Sequence, residues 1–129
     1  MVVVIDRLDH FVLTVANVEA TCAFYEKTLG MTPVTFGAGR RALTFGRQKI
    51  NLHQAGRELE PRARVPTPGS GDVCFITSTP LDEVQAHLEA HGIELLEGGQ
   101  TPRTGATGSI NSLYFRDPDG NLVEVSRYD

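Results

Sequence analysis

The feature that most limits what this chain can fold into is an internal repeat. Asp9-His10-Phe11-Val12-Leu13-Thr14 lies on Asp72-Val73-Cys74-Phe75-Ile76-Thr77 at an offset of 63, and Asn51-Leu52-His53 lies on Leu122-Val123-Glu124 at an offset of 71. Two glycines that read as helix stops, Gly30 and Gly92, stand 62 apart. Each copy reads as strand, helix, three strands. In the first copy, residues 5–15 are rich in Val, Leu and Phe and predict a strand. Asn17 offers an N-cap, and Val18, Cys22, Tyr25 and Leu29 recur at helical spacing. Strands follow over 31–36, 41–45 and 49–54, separated by glycine turns. In the second copy, a strand over 72–77 precedes Thr79 as cap and Pro80 at the first helical position, then the stripe Leu81, Val84, Leu88. A strand over 93–96, a glycine-rich loop over 98–109 and strands over 110–115 and 122–126 complete it.

Residues 57–71, with their prolines and glycines and with Arg57, Arg62 and Arg64, read as a solvated linker. The expected organisation is one domain over 1–129: a first module over about 5–56, the linker, and a second module over about 72–128. One helix covers only one face of a four-stranded sheet. The expected class is therefore α+β, with two βαβββ modules joining their bare faces into an incomplete eight-stranded barrel-like sheet around a cleft.

Composition narrows the function classes. Hydrophobic residues make up 40% and charged residues 22%, as in ordinary globular chains. A net charge of −4 supplies no basic field for nucleic acid. Val2-Val3-Val4-Ile5 is ended by Asp6, too short a run for a leader, and no run approaches the ~18 apolar residues of a membrane span. The expectation is a cytoplasmic protein with a small-molecule substrate and neither nucleic-acid nor membrane partners. Cys22 and Cys74 form no C-x-x-C pair and read as buried small apolar residues.

Four positions are equivalent under the repeat: His10, His53, Val73 and Glu124. A single strand histidine is ordinarily a hydrogen-bonded residue, and a glutamate in a terminal strand ordinarily faces solvent. Three metal-ligand types at four equivalent positions is a different matter. If the modules meet around a pseudo-twofold axis, His10, His53 and Glu124 converge and suit a divalent ion such as Fe, Mn, Zn or Ni, with coordination sites left open. His87 and His91 lack the H-E-x-x-H pattern and read as surface residues. The loop over 98–109 reads as a mobile lid whose Arg103 pairs with an anionic substrate.

With Leu8-Asp9-His10, Phe24-Tyr25 through Leu29-Gly30-Met31, Asn51-Leu52-His53 and the run from Tyr114 through Asp117-Pro118-Asp119-Gly120 to Glu124, the chain resembles the vicinal oxygen chelate superfamily. That superfamily holds glyoxalase I, extradiol dioxygenases, fosfomycin-resistance proteins and bleomycin-binding proteins. The small single-domain glyoxalase-domain-containing, virulence-associated group is the most similar. The resemblance implies paired βαβββ modules, a divalent metal and a substrate chelating it through adjacent oxygens. It also implies Glu124 as ligand and proton-transfer group and Tyr114 as a substrate-supporting residue. Extradiol dioxygenases place an acid–base histidine upstream of that tyrosine, where this chain has Gly105, Ala106 and Thr107, and a ligand histidine where it has Val73. Glyoxalase-like lyase or isomerase chemistry is therefore the expectation. An extradiol-type dioxygenase and a non-catalytic drug- or metabolite-binding protein are the alternatives. The expected assembly is a homodimer, with the modules pairing within one chain or by exchange between two.

Overall fold

Asn17 shows how closely the local signals are followed. Its side chain accepts a hydrogen bond from the Ala20 N–H at 2.9 Å and opens helix α1 (Val18–Leu29), and Gly30 closes it at φ 67°. In the computed structural model, which describes all 129 residues, β1 (His10–Val15) precedes α1, and β2 (Thr32–Phe36), β3 (Arg40–Phe45) and β4 (Gln48–Gln54) follow it. The second copy runs β5 (Asp72–Ile76), α2 (Leu81–Ala90), β6 (Thr101–Gly105), β7 (Gly108–Arg116), β8 (Leu122–Tyr128). The class is α+β: two helices and two four-stranded mixed sheets, ordered β1-β4-β3-β2 and β5-β8-β7-β6. The chain forms two compact units, Met1–Thr67 and Pro68–Asp129. Neither helix is long and apolar enough to cross a membrane.

Each unit builds its core between helix and sheet. In the first, Leu13, Val15, Leu43, Ile50 and Leu52 are buried with Cys22 and Tyr25 of α1. Arg41 reaches Glu19 of α1 and so marks the helix-covered face of the sheet. Alternation then puts His10, Val12, Thr14, Lys49, Asn51, His53, Arg40 and Phe36 on the other face. In the second unit, Leu113, Phe115, Val123 and Val125 are buried on the helix side, where α2 contributes Leu81 and Leu88. Burying a side chain of this size fully is worth roughly 1.5–3 kcal/mol.

On the open face of the first unit, distant side chains meet. Phe36 and Lys49 stand two strands and four residues apart in register, roughly 13 Å along the strands and 10 Å across. Yet Lys49 Nζ lies 3.8 Å from the Phe36 ring centroid. The right-handed twist of the strands brings the two side chains together along that diagonal.

Asp117-Pro118-Asp119-Gly120 is a structural staple. Asp117, buried, accepts hydrogen bonds from the Asp119 and Asn121 N–H groups and from Asn121 Nδ2, at 3.0, 2.9 and 2.8 Å. Asn121 Oδ1 in turn accepts from the Gly71 N–H at 2.7 Å, tying the entry of β5 to the start of β8.

Several expectations are corrected. The strand expected over 5–15 begins only at His10, because its parallel partner runs out at Lys49. No strand forms over 93–96; the Leu96 N–H donates to the Tyr114 carbonyl, and its own carbonyl accepts from the Gly99 N–H. The expected lid over 98–109 instead contains β6 and its turn into β7, since pairing with β7 satisfies a backbone whose strand signal Pro102 and Gly105 weaken. Thr79 does not cap α2. Pro80 stands at the cap position, with its carbonyl accepting from the Glu83 and Val84 N–H groups and no side-chain cap bond.

Candidate functional site

The second unit assembles a connected polar group on its open face. Glu124, on β8, is directly paired with Tyr114 on β7 and with Cys74 on β5. Glu124 Oε2 accepts from Ser112 Oγ at 2.6 Å and from Ser126 Oγ at 3.2 Å, and the two hydroxyls lie 2.6 Å apart. Both serines are fully buried, so one carboxylate oxygen is anchored from beneath. Tyr114 OH accepts from Arg103 Nε at 3.1 Å, and the guanidinium lies over the tyrosine ring, 5.4 Å from its centroid. Burial, followed by a hydrogen bond to Glu124, pushes the Tyr114 pKa up, which keeps the phenol protonated at neutral pH. Arg103, Tyr114 and Glu124, singled out in the sequence, thus form one chain of contacts. Arg103 is engaged with Tyr114 and the Pro102 carbonyl and is not part of a loose lid.

In the first unit the two histidines differ. His10 is exposed, with Nδ1 2.8 Å from Asp9 Oδ2. That contact has Nδ1–H donating to the carboxylate and turns Nε2 away from Asp9, the orientation a ligating imidazole needs. It also draws the Asp9 pKa down. His53 is 6% exposed, and no protein group hydrogen-bonds its ring. Burial and then the charge of Arg40 push its pKa down, against a smaller opposing pull from Glu58, so the imidazole is held neutral.

The strand register fixes where the two histidines stand within the first unit. No group of three or more His, Cys, Asp or Glu side chains lies close enough to share a metal ion. His10 pairs with Lys49 and His53 with Thr14, so the two histidines stand four residues apart along the strands, roughly 13 Å.

The register also revises the repeat itself. Val73 pairs with Val123 on the helix-covered face, so it does not correspond to His10. Asp72 and Cys74 take the open face, and Cys74 Sγ lies 3.3 Å from Ser126 Oγ. The 62 offset of the glycine stops, Gly30 and Gly92, aligns His10 with Asp72 on the open faces, and His53 and Glu124, 71 apart, likewise both take the open faces. The offset of 62 was present in the sequence. Cys22 is buried as expected; Cys74 is exposed, because β5 is an edge strand. His87 and His91 are exposed, with rings 4.4 Å apart and His91 Nδ1 2.9 Å from the His87 carbonyl oxygen. Ser112, Ser126, Asp72 and Asn51 are the polar residues sequence reasoning missed. Period-two alternation placed Ser126 on the face of Glu124 and Asn51 on that of His53, without assigning either a role.

The family model described as Glyoxalase/Bleomycin resistance protein/Dioxygenase superfamily matches residues 7–125. The chain is 57% identical over 125 residues to the virulence protein STM3117 of Salmonella typhimurium, covering 97% of this chain and 86% of that protein. The crystal structure of STM3117 superposes with a TM-score of 0.96 at 56% identity, covering 98% of this chain and all of that one. The glyoxalase domain-containing protein RDO1 of Mycosarcoma maydis is 54% identical over 94% of this chain and 68% of its own length. Lower-identity matches include the metallothiol transferase FosB of Shouchella clausii, 26% identical over 94% of this chain and 80% of its own. Biphenyl-2,3-diol 1,2-dioxygenase 3 of Rhodococcus globerulus is 30% identical over 92% of this chain and 62% of its own. The crystal structure of a lactoylglutathione lyase from Agrobacterium tumefaciens matches with a TM-score of 0.71 at 26% identity, over 94% of this chain and 92% of that one.

Proposed function

This chain belongs to the Glyoxalase/Bleomycin resistance protein/Dioxygenase superfamily, and we propose that it is a divalent-metal-dependent enzyme acting on a small substrate with adjacent oxygens, by glyoxalase-like lyase or isomerase chemistry. The observation that carries the reading is the set around Glu124: a carboxylate anchored through one oxygen by two buried hydroxyls, beside a neutral phenol oriented by Arg103. Such a pair is arranged to take up a proton at the Glu124 oxygen that the serines leave unbonded, while the Tyr114 hydroxyl, which hydrogen-bonds Glu124 at rest, turns to donate to a developing oxyanion.

The donor chemistry fits a metal. His10 is held in orientation through Nδ1 by Asp9, His53 is neutral and unbonded, and Glu124 keeps one oxygen clear of the two serines. His10 and His53 of the first unit and Glu124 of the second are the proposed donors, with Asp72 as a further one at the position equivalent to His10; because the two histidines stand roughly 13 Å apart along the strands, sharing one ion requires both rings to reach toward each other along the sheet. A bound divalent ion would act as a Lewis acid toward the substrate oxygens. Relatives named as a lyase, a metallothiol transferase and a dioxygenase support metal dependence as a class property. The direct pairing of Tyr114 with Glu124 also suits a ring-cleaving dioxygenase, the second reading.

Anaerobic purification followed by elemental analysis tests the proposal. About one divalent metal per chain is expected, falling by about tenfold or more in His10→Ala and Glu124→Ala. Metal-free protein with no affinity for added Fe, Mn, Zn or Ni would leave the non-catalytic binding protein as the better account. Rapid cleavage of catechol by the iron-loaded protein would replace the lyase reading with the dioxygenase.

A further inference from the structure

The open face of the first unit carries a cluster the proposed chemistry does not use. The Arg40 guanidinium lies 4.8 Å and Lys49 Nζ 3.8 Å from the centroid of the same ring, Phe36. Two positive charges therefore sit within roughly 9 Å of each other, where they repel. Neither makes an ion pair: the pairs of this unit join His10 to Asp9, Arg41 to Glu19 and Arg62 to Glu60. Asp9, the carboxylate on which Lys49 acts, is already bonded to His10.

Asn51 occupies the row between those of Lys49 and Arg40 on this face. It is 5% exposed, and its Oδ1 is shut off from solvent with no donor. Buried acceptors are nearly always satisfied, and an orphan in a native fold calls for an explanation. An apolar residue would serve folding better at this position. Two unpaired cations and an empty acceptor are complementary to one kind of ligand: an anionic group beside an O–H donor.

We infer that this face binds a small 2-hydroxycarboxylate, its carboxylate between Arg40 and Lys49 and its hydroxyl donating to Asn51 Oδ1. Phe36 holds the two cations in place, so their repulsion is built in before the anion arrives and is relieved when it binds. A hydroxyl next to a carboxylate is also a pair of adjacent oxygens. The inference rests on the proposed function only for the acid being the substrate; binding itself requires no metal.

The experiment is calorimetric titration of chelator-stripped protein with mandelate, mandelamide and phenylacetate. Mandelate is expected to bind about tenfold or more tightly than mandelamide, which lacks the charge, and more tightly than phenylacetate, which lacks the hydroxyl. Arg40→Gln and Lys49→Gln should each remove about tenfold of the mandelate affinity and leave mandelamide unchanged. Asn51→Leu should abolish the preference for mandelate over phenylacetate and raise the Tm of the free protein, an outcome a merely structural Asn51 would reverse. Absence of mandelate binding at millimolar concentration, or equal binding of acid and amide, overturns the inference. The mandelate-to-phenylacetate ratio on the unaltered protein tests the hydroxyl contact even if Asn51→Leu fails to fold. Because these titrations are metal-free, their failure is separable from a failure of metal binding.

Discussion

At the scale of single residues, the tightest constraint falls on Gly69. It adopts φ 83°, and a Cβ there would stand 2.5 Å from the Asp119 carbonyl oxygen. Backbone offers no flexible end that can move aside, so Gly69→Ala combines left-handed strain with a clash. Its partner in the same staple is Asp117, which three donors depend on. Chemical denaturation should show Asp117→Ala and Gly69→Ala each destabilising by about 2–4 kcal/mol. Asp119→Ala should cost less, because its backbone carbonyl stays. A neutral result for Asp117→Ala would mean that the turn is held by its backbone alone. The Asp-Pro-Asp-Gly motif is then a folding device, and the chemistry of that stretch begins only at Glu124.

Among the elements, the two helices do the same work with different starts. The N-cap of α1 is a side-chain bond from Asn17; α2 begins at Pro80 without one. Asn17→Ala should therefore cost about 1 kcal/mol in an unfolding titration, whereas Thr79→Ala should change stability by less than about 0.5 kcal/mol. Equal losses at both positions would contradict the observed caps. The strands show why β6 was hidden. Thr101-Pro102-Arg103-Thr104-Gly105 has neither alternation nor branched apolar residues, and it is a strand because β7 lies alongside. Pro102 is tolerated there because β6 is an edge strand.

For the molecule as a whole, the exposed edges carry the argument for assembly. β1 and β5 end their sheets, and they present Val12, 43% exposed, and Ile76, 54% exposed. Edge strands with apolar side chains on an open face associate unless they are covered. We therefore expect a homodimer in sedimentation at tens of micromolar, shifted toward monomer by Val12→Lys or Ile76→Lys. A monomer for the unaltered protein at that concentration would refute it.

What the sequence determined by itself was everything local or repeated. Caps, glycine stops and a doubled strand-helix-three-strand order depend on neighbours a few residues away, and Asn17, Gly30 and Gly92 announce them. Tyr114 and Glu124 also belong to one nearby antiparallel ladder, and their pairing was within reach of alternation. What only the tertiary structure decided was the register between distant strands. β1 meets β4 about forty residues later, and β5 meets β8 about fifty later, by hydrogen bonding that leaves no mark in either segment alone. A slip of one residue turns every side chain to the other face. An offset of 63 therefore selected Val73, on the helix side, whereas the ladder selects Asp72. The same non-local pairing set Asn51 among unpaired cations and left its acceptor unfilled, which no local pattern in the sequence could reveal.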